Sequence, residues 1–136
     1  MTERHPVGLL DTCVVIDLGR LDPNVLPAIA RISTVTIAEL GLGVHTTTDP
    51  VERALRTERL QRAEVGFRPL PFTVDAARRF THMAGLVIAA GRGPKPRKAD
   101  LMIAAVASVH GLPLFTRNPK DFADLDSVLT LVAVTH

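Results

Sequence analysis

Val7-Gly8-Leu9-Leu10-Asp11-Thr12-Cys13-Val14-Val15-Ile16 is the stretch that decides the fold. Its first four residues run without polar alternation into an aspartate and a threonine, and a second apolar run follows. A short apolar run that stops at an acidic turn is the pattern of a strand buried on both faces. A sheet covered on both faces can house such a strand.

The rest of the chain agrees with that reading. Leu21-Asp22-Pro23 marks a break, with a short helix expected through Ala30. Ile32 to Val35 reads as a second strand, running into Thr36-Ile37-Ala38-Glu39-Leu40, a helix start with Thr36 as cap and Glu39 three residues on. From Pro50 to about Glu64 the spacing of Val51, Ala54, Leu55, Leu60 and Ala63 predicts an amphipathic helix. On it Arg53, Arg56, Arg59 and Arg62 form a slanted basic stripe. Phe67 to Phe72 is a third strand candidate that Pro69 and Pro71 confine to an edge. Thr73 caps a helix to about Ala90, and Gly91 to Lys98 is a basic loop rich in helix breakers. Asp100 starts a strongly apolar helix that stops at His110-Gly111. Leu112 to Thr116 and Val128 to Val134 are the fourth and fifth strands. Strands alternating with helices describe an α/β sandwich around a mostly parallel sheet, in one domain over residues 1–136.

Composition narrows the function classes. With 136 residues, 46% of them apolar, the chain buries a core without disulfides, and the single Cys13 points to a reducing, cytoplasmic setting. Met1 to Pro6 is polar and the following apolar stretch is interrupted by Asp11 and Asp17, so no secretory leader is expected. The longest apolar run, Leu101 to Ala107, falls far short of a membrane span. Five Phe with no Trp or Tyr argue against stacking bases on an aromatic platform. The net charge of +2 hides an asymmetry. Residues 1–50 carry three basic and six acidic side chains, residues 51–100 eleven and five, and residues 101–136 two and three. A basic middle between acidic flanks suggests a nucleic acid partner; a solvated helical face is the plain alternative.

In an open parallel sheet, function gathers at the carboxyl ends of the strands. Asp11 ends the first strand, Glu39 sits in the first turn of the helix after the second, Asp100 begins the helix before the fourth, and Asn118 and Asp121 follow the fourth. Converging carboxylates repel one another unless a hard cation such as Mg²⁺ or Mn²⁺ neutralises them. Such an ion could polarise a phosphodiester and activate water. Each residue also has an ordinary structural reading. Glu39 completes a capping box with Thr36, Asp100 suits the positive end of a helix, and Asn118-Pro119 is a turn starter. Asp11, set inside an apolar run, resists such a reading.

Four blocks carry a resemblance: Leu9 to Asp17, Thr36 to Gly43, Lys98 to Ala105, and Leu114 to Phe122. Together they resemble a PIN-domain ribonuclease, and more narrowly a VapC-type toxin of a bacterial toxin–antitoxin pair. The resemblance implies a PIN-like three-layer α/β/α sandwich with four or five strands. It implies that Asp11, Glu39 and Asp100 hold Mg²⁺ or Mn²⁺, with Asp11 and Asp100 as direct ligands. Family members often have a fourth acidic residue where this chain has Asn118, which becomes an auxiliary group unless Asp121 reaches in. Thr12 and Thr116 would orient carboxylates or water. The implied substrate is RNA, commonly structured RNA such as tRNA, and the implied partners are a cognate antitoxin and a second copy of the chain. On this reading Arg53, Arg56, Arg59 and Arg62 and the loop residues Arg92, Lys95, Arg97 and Lys98 draw in the phosphate backbone. Two other readings stand beside it. One is a non-catalytic PIN-like binding module. The other is an aspartyl-nucleophile phosphatase, weakened because Cys13 stands where that chemistry needs a second aspartate.

Overall fold

In the computed structural model, which describes residues 4–135, the first strand lies where the sequence places it, as β1 at Val7–Leu10. Asp11 then caps a short helix, α1 (Thr12–Ile16), by accepting the Thr12 N–H at 2.9 Å. The second apolar run is thus little more than one turn of helix, with Val14 and Val15 buried.

The next elements correct the expectation. β2 is Ile29–Arg31, beginning three residues before the expected stretch, and it claims Ala30 from the expected helix. That helix shrinks to a 3₁₀ turn at Pro23–Val25. Pairing decides the position: Val7, Gly8 and Leu9 align in parallel with Ile29, Ala30 and Arg31. The chain then reaches its helix start earlier, so Ser33 and not Thr36 caps α2 (Thr34–His45), its Oγ accepting the Val35 N–H at 2.8 Å. Glu39 therefore lies in the second turn of α2 and belongs to no capping box.

α3 (Pro50–Gly66) and α4 (Val74–Ala89) follow the predicted spacing, with Asp49 and Thr73 as caps. Phe67 to Phe72 forms no strand. It contributes one bridge, Leu70 to Ser33, because Pro69 and Pro71 have no N–H for a ladder. The basic loop contains a 3₁₀ turn at Lys95–Arg97, after which α5 (Lys98–Val109) places Asp100 in its first turn. Gly111 stops α5 with φ +64°, a conformation that suits glycine. β3 (Leu114–Thr116) and β4 (Leu131–Ala133) are shorter than predicted.

The four strands form one parallel sheet in the order β2-β1-β3-β4. Alternate residues feed opposite faces. Leu9 and Leu114 pack with Met83, Leu101 and Ile103 of α4 and α5. Leu10 and Phe115 pack with Val14, Leu40 and Ala63 of α1, α2 and α3. This is the expected three-layer sandwich. β1 and β3 lie side by side at its centre, with their carboxyl ends at Asp11 and Thr116.

Candidate active site

Asp11 ends the central strand and is 4% exposed. Its Oδ1 accepts the Thr12 N–H, and its Oδ2 accepts Thr116 Oγ1–H at 2.8 Å and the Cys13 thiol at 3.3 Å. Burial pushes the Asp11 carboxyl above its ordinary range, and the charge of Asp121 adds to the push. The three donors pull it back. Thr116, at the end of β3, is itself fully buried and accepts the Asn118 N–H at 3.0 Å.

Glu39 is held through a pair of hydroxyls. Thr12 Oγ1–H donates to Glu39 Oε1 at 2.6 Å, and Thr36 Oγ1 lies 3.0 Å from Thr12 Oγ1. A hydroxyl has one proton, and a carboxylate only accepts. Thr12 therefore spends its proton on Glu39, and the buried Thr36 is the donor to Thr12. The sequence reading gave Thr36 a capping role; its actual work is to fix the hydroxyl that holds Glu39.

Asp100 faces the same space from α5. Burial, then the charges of Asp11, Asp121 and Glu39, push its carboxyl up to about 6, while Arg97 pulls the other way. Asp100 thus feels the charges of three carboxylates from three other segments of the chain, and Asp121 also acts on Asp11. Asp121 sits in the 3₁₀ turn Pro119–Phe122, 3.4 Å from Arg97. Asn118 precedes that turn, and its side chain makes no capping bond. All the convergent donors are oxygens, the set that hard divalent cations select. Among the described residues no three His, Cys, Asp or Glu side chains stand close enough together to form a metal cage.

The basic residues divide into separate groups. Arg56, Arg59 and Arg62 line a cleft of about 860 Å³ that runs from Thr12 and Glu39 between α1 and α3. Arg53 is absent from that wall and donates to Thr47 O at 2.7 Å. Arg56 is a clasp, with bonds to Gly43 O (2.7 Å), Thr46 Oγ1 (3.0 Å) and Glu52 (3.0 Å). On the other flank, Arg97 stands beside Asp121, while Arg92 is pinned to Asp124 at 2.6 Å. Lys95 and Lys98 lie on the same flank, in the 3₁₀ turn and at the start of α5. Sequence reading missed three participants. Cys13, which the sequence offers no role in the site, donates to Asp11, and its sulfur also accepts the Arg117 N–H at 3.5 Å. Arg117 in turn pairs with Asp17 at 2.9 Å. Neither the thiol bond nor this pair has a signal in the sequence, because both depend on β3 lying beside β1.

A parallel sandwich that gathers carboxylates at the ends of its two central strands is the architecture of a PIN domain. The sequence pattern of that family, described as "PIN domain", matches residues 8–128, and the chain belongs to the family. Within it the similarity is narrower. Ribonuclease VapC5 of Mycobacterium tuberculosis is 36% identical over 96% of each chain. VapC ribonuclease Y4jK of Sinorhizobium fredii is 33% identical over 88% of this chain and 94% of its own. Among solved structures, VapBC-5 of M. tuberculosis, a member of the VapBC family of toxin–antitoxin systems, superposes with a TM-score of 0.80. It shares 34% identity and covers 95% of this chain and 98% of its own. The chain is a VapC-type member of the PIN-domain family.

Proposed function

We propose that this protein is the toxin of a toxin–antitoxin pair, an endoribonuclease that hydrolyses phosphodiester bonds of RNA with Mg²⁺ or Mn²⁺. The observation that carries the reading is the convergence of Asp11, Glu39, Asp100 and Asp121 at one sheet edge, where burial first and then the charges of Asp11, Asp121 and Glu39 push Asp100 up to about 6. The identity of the 36% relative as a ribonuclease supports it.

In this reading Asp11, Glu39 and Asp100 hold the cation, with Asp121 and Asn118 at its margin. When bound, the ion would lower the pKa of water and stabilise developing charge on the phosphate. The protein's own residues do the positioning. Thr116 and Cys13 fix the rotamer of Asp11, and the Thr36–Thr12 pair fixes Glu39, so the carboxylates need little reorganisation to act. Arg59 on one flank and Arg97 on the other attract the phosphate backbone.

An antitoxin partner follows from the similarity to a toxin–antitoxin structure, and a homodimer in the cytoplasm belongs to the same reading. Among the described residues no helix is long and apolar enough to cross a membrane. The test is cleavage of total RNA with added Mg²⁺ or Mn²⁺. Cutting is expected to stop on chelation and in Asp11→Asn, with circular dichroism unchanged. Undiminished cutting by a folded Asp11→Asn would sink the proposal.

A further inference from the structure

We propose that the cleft between α1 and α3 is a nucleoside subsite, which takes one unpaired nucleotide of the RNA beside the scissile phosphate and binds its phosphate through Arg59 and Arg20. The idea rests on the ribonuclease reading above. The cleft holds about 860 Å³, its walls include Leu18, Leu40 and Phe67, and one end opens at Thr12 and Glu39. Pockets of roughly 300–1,000 Å³ with an apolar lining and a few polar groups are the form small-ligand sites take.

The charges of the cleft identify the ligand. Asp17 is already matched by Arg117 at 2.9 Å, Glu52 by Arg56 at 3.0 Å, and Arg62 by Glu58 at 3.6 Å. Arg59 and Arg20 also line the cleft, and neither has an ion-pair partner among the described residues. Against these two free cations the walls carry one carboxylate without an ion pair, Glu39 at the active-site end, so the cleft away from that end is cationic. Guanidinium groups suit that task because they bind phosphate with paired N–H donors.

The shape selects an unpaired nucleotide. A base inside a duplex is stacked on both faces with its pairing edge occupied, so it enters a concave wall only after leaving the stack. Phe67 is one ring among aliphatic side chains, enough to cover a single base and too little for a platform.

The test is binding in chelator, where no cutting occurs. A short fluorescent RNA strand is compared with the same strand annealed to its complement, and with one carrying abasic nucleotides. The single strand is expected to bind about tenfold tighter than the duplex, and abasic substitution to remove most of that gain. Arg59→Gln should weaken single-strand binding about tenfold and reduce its salt slope by about one, with Arg59→Lys recovering part. Phe67→Ala should weaken the intact strand and leave the abasic strand unchanged. Equal binding of strand and duplex, or unchanged affinity in Arg59→Gln, overturns the subsite. So does a result in which Arg59→Gln spares RNA and weakens only an acidic antitoxin peptide. If the binding pattern holds but no RNA is ever cut with Mg²⁺ or Mn²⁺, the enzyme reading fails and the nucleotide site stands.

Discussion

Replacing Asp100 with asparagine tests the electrostatics of the carboxylate cluster without any assay of cutting. Burial and the charges of Asp11, Asp121 and Glu39 lift Asp100 from the ordinary 3.8 to about 6 in the folded protein. In the unfolded chain the group returns to its ordinary value. Between those two pH values the folded state holds a proton that the unfolded state has released, so stability falls as pH rises through the window. Above it the full penalty is present. A rise of about two units corresponds to about 3 kcal/mol at 1.36 kcal/mol per unit. Asp100 is only partly buried, and screening brings the expected gain for Asp100→Asn to about 1–2 kcal/mol. Urea unfolding in EDTA near neutral pH should show the variant more stable by about 0.5–1 M in midpoint. At about pH 4 the two proteins should nearly coincide, because the folded wild type is then protonated at this position. Added Mg²⁺ should reverse the order, since it stabilises the protein that binds it better. If Asp100→Asn is destabilised equally at both pH values, Asp100 is a structural partner and the repulsion argument is wrong.

Two further substitutions probe the scaffold. A Cβ on Gly8 would meet the edge of the Phe115 ring and lie 3.2 Å from Pro27 Cβ, so Gly8→Ala should lose about 1–3 kcal/mol of stability. An unchanged urea midpoint would mean that this layer yields more than a packed core does. Arg56→Ala removes the bonds that tie the end of α2 to α3, with an expected loss of about 1–2 kcal/mol and faster amide exchange in the last turn of α2. Unaltered exchange there would free Arg56 from its clasp role.

Asp11 was legible in the sequence because nothing else explains a carboxylate inside an apolar run, and the same stretch announced the sandwich. Glu39 was found for its position, but its capping explanation failed. Ser33 and Thr36 are both able to cap, and the choice between them was made by the pairing of Ile29–Arg31 with β1. β-branched preference at Ile32 to Val35 was a weaker signal than that long-range register. The arginine stripe was legible as a row, yet its members differ in what they bind. Arg53 and Arg56 are consumed by backbone carbonyls, while Arg59 faces the cleft. Spacing reports which residues share a helix face and says nothing about which neighbouring atoms have claimed them. Thr36 reads as a cap, and Cys13 carries no site signal, because Thr12 and Arg117, their partners, arrive from other segments.

The bond between Thr116 and Asp11 joins residues 105 positions apart, whereas Glu39 and Thr12 are separated by only 27. A growing chain can therefore set Glu39 in place early, but Asp11 keeps a loose rotamer until β3 has been made and slotted beside β1. A product that stops short of Thr116, residue 116 of 136, lacks the hydroxyl that holds Asp11. Loss of the chain from Leu114 onward would therefore remove both the hydroxyl that holds Asp11 and the strand that lies beside β1.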